Sequence, residues 1–289
     1  FTSYRLHGKY EKDYDPHTPP MELKKEIRME DVSYTYPESD KVILDHAQML
    51  VPVGKSVGVM GPSGAGKSTA IDILMGLLQV QGGEILCDGR NIFENYPSWL
   101  SHIGYIPQTI YLTDDSIREN IAFGVAKEDI DDERVWHVLE EAQLKDFVKE
   151  LPGMLDMEIG ERGVRLSGGQ RQRIGIARTL ALRPEFIVCD EPISALDVSI
   201  QAQVINLLEK LQREKGFSYL FIAHDLEMVH HISHKIGVMY LGNMVELGSS
   251  DDVYKKPLHP YTRALISAAP IADPKMAKEK KRIILEGEV

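Results

Sequence analysis

The stretch Gly61-Pro-Ser-Gly-Ala-Gly-Lys67-Ser68-Thr69 decides the fold, because its glycines, lysine and hydroxyls follow the order of a phosphate-binding loop. A short apolar strand pattern over residues 55–60 precedes it, and a helical pattern over residues 69–78, closed by Gly82-Gly83, follows it. Glycines let backbone N–H groups turn towards phosphates, and the helix N-terminus adds positive potential. Lys67 would neutralise the β- and γ-phosphates, and the Ser68 hydroxyl would ligate Mg²⁺. A chance match in a glycine-rich turn is the alternative, and the strand–helix context disfavours it.

Composition and charge exclude several classes of protein. The 289 residues carry 33 Lys and Arg against 44 Asp and Glu, a net charge of −11, so no nucleic-acid partner is expected. Two cysteines, Cys87 and Cys189, cannot form a disulfide framework and are typical of an intracellular protein. No apolar run approaches the ~18 residues needed to cross a bilayer. Because the chain begins at Phe1 rather than Met, we expect a fragment, and a missing targeting signal carries no weight.

Apolar patterns outside the loop divide the chain into segments. Residues 1–26 are polar and contain prolines, so they predict a linker or tether, with a disordered tail as the equal alternative. Residues 27–94 combine strand patterns with the phosphate loop. A helical lobe is predicted over residues 95–165, because five apolar residues fall on one helical face: Val135, Val138, Leu139, Ala142 and Phe147. Residues 166–246 alternate strand and helix again, which predicts an α/β sheet interrupted by a helical insertion.

A second glycine-rich cluster lies downstream of the phosphate loop. Leu166-Ser-Gly-Gly-Gln170 leads into a helical pattern, and a helix that starts with Ser and Gly is another anion site. Alone, Ser-Gly-Gly is usually a loop. Here the apolar strand pattern of residues 186–189 ends in Asp190-Glu191, 20 residues after Gln170 (170 to 190). Combined with the phosphate loop, this arrangement resembles the ATP-binding cassette (ABC) family.

The resemblance implies which residues carry out ATP hydrolysis. Asp190 would hold Mg²⁺ together with Ser68, and Glu191 would be the general base that polarises the attacking water. Gln108, in Tyr105-Ile-Pro-Gln108, would link Mg²⁺ to the helical lobe, and His224 would contact the γ-phosphate. Each role has a plain structural alternative. For Asp190-Glu191 it is an acidic strand end, for Gln108 a solvated glutamine and for His224 a core histidine.

The resemblance also implies which residues hold the nucleotide. Tyr36 would stack on adenine, with Tyr34 as its competitor. Asp197 belongs to Ser194-Ala-Leu-Asp197, which matches a loop that crosses a dimer interface. The full expected set is Tyr36, Gly61, Ser63, Gly64, Gly66, Lys67, Ser68, Thr69, Ser167, Gly168, Gly169, Gln170 and Asp197.

Fold and function follow from the same resemblance. It implies an α/β P-loop NTPase (RecA-like) core with an antiparallel β edge and an inserted α-helical subdomain. The implied activity is ATP hydrolysis to ADP and phosphate by a head-to-tail homodimer. That dimer would couple to transmembrane domains on the cytoplasmic face of the membrane. The alternatives are a nucleotide-binding fold with little turnover, and a soluble ABC ATPase, which typically carries two cassettes or a coiled-coil insertion.

The two halves of the chain resemble different branches of this family. Before about residue 170, residues 109–124 and 158–163 are similar to the cassette of an ABC exporter. After about residue 182, four stretches resemble the ATPase of oligopeptide/dipeptide importers: residues 190–197, 198–208, 259–265 and 270–274. An importer-like C-terminal appendage would then span residues 247–289. We therefore expect an engineered chimera with its junction between Leu166 and Leu182, with a natural outlier or recombinant as the alternative.

Overall fold

The chain divides into two compact units in a computed structural model that describes residues 17–37, 39–160 and 163–268. Unit 1 comprises Phe1–Leu100 and Tyr219–Val289, and unit 2 comprises Ser101–Ser218. Most of the predicted linker, part of the exporter-like stretch 158–163 and all of the importer-like stretch 270–274 lie outside the described residues. Within the described part, no helix combines the length and apolarity needed to cross a membrane.

Unit 1 contains an antiparallel sheet in the order β2-β1-β4-β5. Its strands are β1 (Glu26–Thr35), β2 (Val42–Pro52), β4 (Gly82–Cys87) and β5 (Arg90–Asn91). In β1 the buried side chains are Ile27, Met29, Val32 and Tyr34, so the alternation skips one residue. That extra residue is Asp31, with a left-handed φ of 53°, at a register shift in both neighbouring pairings. The bulge keeps Val32 and Tyr34 on the buried face.

Residues 17–25, inside the predicted linker, contact this sheet. The side chains of Met21 and Leu23 are buried. The Asp88 carboxylate accepts hydrogen bonds from the backbone N–H groups of Lys24, Lys25 and Glu26 at 2.8, 2.9 and 2.8 Å. Burial opposes the charged form, but these amide hydrogen bonds hold the pKa of Asp88 below its usual value. Asp88-Gly89 has φ values of 50° and 82°, which is typical of a two-residue hairpin turn.

The second group of strands in unit 1 is mostly parallel. Its order is β10-β9-β3-β8, formed by β3 (Ser56–Met60), β8 (Ser218–Ile222), β9 (Lys235–Tyr240) and β10 (Asn243–Ser249). β3 pairs in parallel with β8 and β9, and β10 closes the edge antiparallel to β9. Every residue of β3 is buried, as expected of a central parallel strand.

The helices of unit 1 are α1 (Lys67–Leu74), α2 (Tyr96–His102, which ends just inside unit 2), α8 (Leu226–Ile232), α9 (Ser250–Lys255) and α10 (Pro260–Ala268). The expectation that α1 runs to residue 78 is wrong. It ends at Leu74 because Gly76 adopts a left-handed φ of 77°, and the N–H groups of Gly76 and Leu77 donate to the carbonyls of Ile73 and Asp72. This is a Schellman motif. Gly82-Gly83 begins β4 instead of closing the helix.

Unit 2 combines a parallel strand pair with helices. β6 (Ile103–Ile106) pairs with β7 (Phe186–Asp190). The helices are α3 (Ile117–Ile121), α4 (Asp132–Glu141), α5 (Lys145–Glu150), α6 (Gly168–Ala181) and α7 (Val198–Lys215). Residues 95–165 are therefore not wholly helical, since β6 lies among them. The predicted single helical face also breaks at Gln143, whose φ is 58°, so that Val148 is buried and Phe147 is only half-buried.

Arg178 on α6 holds the segment that follows Gln108. Its guanidinium donates to the Asn120 carbonyl (2.7 Å), the Asn120 side chain (3.2 Å) and the Tyr111 carbonyl (2.9 Å). It also lies 4.8 Å from the ring centroid of Phe123. Burial lowers the pKa of Arg178 to about 10, so the side chain stays charged at neutral pH.

We expect Arg178→Met to lower the free energy of unfolding by about 2–3 kcal/mol, because it removes charge-assisted hydrogen bonds, two of which are accepted by the buried Asn120. Calorimetric unfolding would measure the loss. Arg173→Met is the matched control on the same helix, since Arg173 makes exposed bonds to Gln143 and Gln203. Equal losses for the two variants would contradict the structural role of Arg178.

Candidate functional site

The phosphate loop of unit 1 connects β3 to α1. Gly66 is the N-cap of α1 with a left-handed φ of 97°, and a Cβ there would lie 2.9 Å from the Ile43 carbonyl oxygen. At Gly61 a Cβ would lie 2.3 Å from the Met239 carbonyl oxygen. Only glycine fits at either position, so the loop is fixed by close backbone approach as well as by conformation. Ser63, Gly64 and Ser68 are exposed.

Lys67 folds back onto this loop. Its Nζ donates to the carbonyl oxygens of Gly61 (2.9 Å) and Pro62 (2.8 Å), and the residue is only 7% exposed. A buried ammonium group is costly unless it is hydrogen-bonded. The positive charge is therefore already positioned at the helix N-terminus, where an anion is also favoured.

Tyr36 and Tyr34 differ in their exposure to solvent. Tyr36 is 39% exposed, whereas Tyr34 is 5% exposed, and the two rings meet edge to face at 5.1 Å. The Tyr36 hydroxyl lies 3.1 Å from the Thr69 hydroxyl, in the first turn of α1. Of the two tyrosines, only Tyr36 presents a ring that a base could reach next to the phosphate loop.

His224 lies at the same edge of the sheet as the phosphate loop. β8 pairs in parallel with β3, and Val59 faces Ile222 across the pair. The loop follows the end of β3, and His224 lies two residues after the end of β8, in an exposed position. The carboxyl ends of neighbouring parallel strands are where α/β sheets bind ligands.

Unit 2 brings Gln108, Asp190 and Glu191 together by the same geometry. β6 and β7 are parallel, with Ile106 facing Cys189, so the residues after each strand meet. Gln108 Nε2 donates to Glu191 Oε2 at 2.7 Å. Glu191 has a left-handed φ of 45°, a conformation that costs a non-glycine residue about 1–3 kcal/mol and is typical of functional sites.

The Ser167-Gly-Gly169 cluster begins α6. Ser167 is its N-cap, and Ser167 and Gln170 form a reciprocal capping box. A Cβ at Gly169 would lie 2.7 Å from Ile200 Cγ2, so glycine lets α6 pack closely against α7. Asp197 precedes α7 but makes no side-chain capping hydrogen bond. The carboxylate of Asp197 is therefore not used to start its own helix.

The expected site residues fall into two sets. Unit 1 contains Tyr36, Gly61, Ser63, Gly64, Gly66, Lys67, Ser68, Thr69 and His224. Unit 2 contains Gln108, Ser167, Gly168, Gly169, Gln170, Asp190, Glu191 and Asp197. Their individual roles remain predictions.

We call the site formed by Gln108, Asp190 and Glu191 the acidic site. Two further residues that make hydrogen bonds there were not among the expected site residues. The Tyr105 hydroxyl donates to Asp190 Oδ2 at 3.4 Å, and the Gln201 side chain donates to two carbonyls of the loop that follows Glu191. Tyr105 could have been identified from the sequence, because it stands in the strand that precedes Gln108. No sequence signal indicated Gln201, because a glutamine in the first turn of a helix is ordinary.

Comparison with known proteins places the chain in a family. The family model described as ABC transporter matches residues 44–194. The putative oligopeptide transport ATP-binding protein YkfD of Bacillus subtilis is 44% identical over 254 residues, covering 85% of this chain and 76% of that protein. The chain belongs to the ABC transporter family. The expected α/β fold class and the ATPase class of this family are thereby confirmed.

Further matches show which members of the family the cassette resembles. The oligopeptide transport ATP-binding protein OppF of Salmonella typhimurium is 45% identical over 250 residues, covering 85% of this chain and 75% of that protein. A model for the C-terminal region of oligopeptide/dipeptide transporters matches residues 245–288. A bacterial Atm1-family ABC exporter with ATP bound matches with a TM-score of 0.77 and 31% identity. The cassette is 90% covered in that match and spans 45% of the exporter chain.

Proposed function

We propose that this cassette hydrolyses MgATP as the ATP-binding subunit of an oligopeptide transporter. The observation that carries the proposal is the phosphate loop, with Lys67 buried against the loop carbonyls at the N-terminus of α1. The relatives are named oligopeptide transport ATP-binding proteins. We take oligopeptides as the transported class from those names.

Unit 1 would bind the nucleotide. Phosphate oxygens would replace the carbonyls of Gly61 and Pro62 as partners of Lys67, so the ammonium would exchange neutral acceptors for anionic ones. His224, at the neighbouring strand end, would donate to the γ-phosphate. Tyr36 would stack on adenine while its hydroxyl stays on Thr69.

The Mg²⁺ ligands that we propose are oxygen donors. Ser68 of unit 1 would offer a hydroxyl, and Asp190 and Gln108 of unit 2 would offer a carboxylate and an amide oxygen, all hard ligands of the kind that Mg²⁺ prefers. In the described part of the chain, no group of three or more His, Cys, Asp or Glu residues could hold a metal. Mg²⁺ would supply charge neutralisation for the phosphates.

Glu191 would act as the general base. Its carboxylate accepts a hydrogen bond from Gln108, so the amide fixes the orientation of the group that would polarise a water molecule. For hydrolysis, unit 2 would supply a positioned carboxylate that accepts a proton from the attacking water. The Gln108 amide would connect the base to the cation through its own oxygen atom.

The partners we propose are a second copy of the chain and transmembrane domains. One chain carries one phosphate loop and one Ser167-Gly-Gly169 cluster, so a head-to-tail pair with twofold symmetry would complete two equivalent sites. Ser167, Gly169 and Asp197 would then face the nucleotide of the opposite copy. The cassette would work at the cytoplasmic face of the membrane.

The chimera stays a hypothesis. The similarity to YkfD extends over 254 residues and so necessarily crosses the expected junction between Leu166 and Leu182. A natural gene that matches this chain continuously across residue 175, at the identity found on either side of it, would contradict a chimeric origin.

Steady-state phosphate release and thermal melting test the function together. We expect turnover with MgATP, and a higher melting temperature in millimolar MgATP because the ligand binds only the folded state. Turnover without a melting shift at saturating MgATP would point to a contaminant. A melting shift without turnover would leave a nucleotide-binding fold and contradict the ATPase proposal.

Tyr36→Ala should weaken ATP binding by about 1–3 kcal/mol, the value of base–aromatic stacking. Titration calorimetry would measure it. Tyr36→Phe is the matched control, since it keeps the ring and removes only the contact with Thr69. ATP and GTP should bind with similar strength, because stacking discriminates poorly between bases. Unchanged affinity in Tyr36→Ala would rule out the stack.

A further inference from the structure

The loop between Glu191 and α7 is held by one side chain of that helix. Gln201 Nε2 donates to the carbonyl oxygens of Ile193 (3.1 Å) and Leu196 (3.0 Å). Both amide hydrogens of Gln201 are therefore used on this loop. The two carbonyls lie two and five residues after Glu191, so a single side chain fixes the path of the backbone that leaves the base.

The loop consists of tight turns that depend on these carbonyls. Ser194 N donates to the Glu191 carbonyl (3.2 Å), and Leu196 N donates to the Ile193 carbonyl (3.1 Å). The Ser194 hydroxyl also donates to the Glu191 carbonyl at 3.2 Å. The Ile193 carbonyl thus accepts both a turn hydrogen bond and the Gln201 amide. Only Pro192 and Ile193 are buried, whereas Ser194 and Ala195 are exposed.

Glu191 needs such support because of its backbone conformation. Its φ of 45° lies in the left-handed region, which a non-glycine residue keeps only when the surrounding structure holds it there. Gln108, which follows β6, fixes the carboxylate, but that bond acts on the side chain. The hydrogen bonds from Gln201 act on the backbone that follows.

We propose that Gln201 is a positioning residue for Glu191, which it orients through the Ile193 and Leu196 carbonyls. The inference rests on the proposed ATP hydrolysis and deepens it. Gln201 touches neither nucleotide nor cation in this scheme. Its loss should therefore affect the chemical step and leave nucleotide binding to unit 1 unchanged.

The test compares Gln201→Met with Gln203→Met. Methionine has nearly the shape of glutamine and lacks the amide. Gln203 stands one half-turn further along α7 and bonds Arg173 instead of the loop, so its variant is a matched control. We expect Gln201→Met to lower kcat by about 10- to 100-fold, as a small displacement of a reacting group does, with the KM for ATP unchanged.

Two readouts separate positioning from a merely structural role. Amide exchange of residues 193–197 should become faster in Gln201→Met and stay as in the wild type in Gln203→Met. The melting shift produced by MgATP should be the same in all three proteins. Gln201→Lys should recover most of the lost rate, because an ammonium group also donates several hydrogen bonds from one atom.

Each remaining outcome contradicts the inference. If the wild type turns over ATP and the two methionine variants behave alike, Gln201 does not position Glu191. If Gln201→Met loses its MgATP melting shift along with its activity, the residue is only structural. A wild-type chain without turnover contradicts the proposed function itself, and the inference with it.

Discussion

Glu191→Gln should lower steady-state ATP hydrolysis by about 100- to 10,000-fold, because a positioned general base contributes that much to a rate. The substitution keeps the shape of the side chain, and the amide oxygen can still accept the hydrogen bond that Gln108 donates to Glu191. Phosphate release would measure the loss. Glu214→Gln, at an exposed position of α7, is the control and should retain wild-type turnover.

The same variant should trap a dimer. ATP bound by Lys67 and His224 of one copy would bridge to Ser167 and Gly169 of the other, and hydrolysis would remove that bridge. With Mg²⁺ and ATP, sedimentation of Glu191→Gln should show a dimer, while the ADP form stays monomeric. Adding Ser167→Arg should abolish the dimer without preventing ATP binding. A monomeric Glu191→Gln protein at high ATP would contradict the composite site.

Lys67→Ala should nearly abolish ATP binding. Each charge-assisted hydrogen bond lost is worth about 1.5–3 kcal/mol, so one such bond to phosphate already lowers affinity by at least roughly 10-fold. The melting shift in MgATP should shrink accordingly. Lys210→Ala, at an exposed lysine of α7, is the control. Wild-type affinity in Lys67→Ala would mean that the loop does not hold phosphate.

Much of the fold was predictable because it is encoded locally. The strand, glycine loop and helix around Lys67 follow one another in the sequence as in the structure, and Ser167 begins a helix as a Ser-Gly start predicts. Alternating strand and helix patterns likewise predicted an α/β sheet. In each case the deciding residues are neighbours along the chain.

Other features depended on contacts between distant residues. Three glycines stood near the end of α1, and the helix stops at the left-handed Gly76. Glycine is also required there by the distant Tyr96, since a Cβ would lie 2.5 Å from Cε2 of its ring. The different exposures of Tyr34 and Tyr36 depend on which ring the sheet buries, which their neighbours in the sequence do not show. Polar residues in the segment before β1 predicted a linker, and nothing local indicated that Asp88 would bind its backbone.

The same limit applies to the acidic site. The motifs identified Gln108 and Glu191 separately, but their hydrogen bond required β6 and β7 to pair in one register. The sequence did not indicate Gln201, because its hydrogen bonds depend on where a loop places its carbonyl groups and not on the residues next to it in the chain.

The division of unit 1 into two stretches has a consequence for synthesis on the ribosome. The 118 residues of unit 2 (101 to 218) separate them, so β3 is made long before its partners β8 and β9. At about 5–20 residues per second, residue 235 follows residue 60 by roughly 9–35 s. Throughout that interval a strand whose residues are all destined for burial lacks its neighbours, while unit 2 is contiguous and free to fold. We therefore expect nascent chains stalled before residue 219 to engage chaperones, and release of β9 from the exit tunnel to end that dependence.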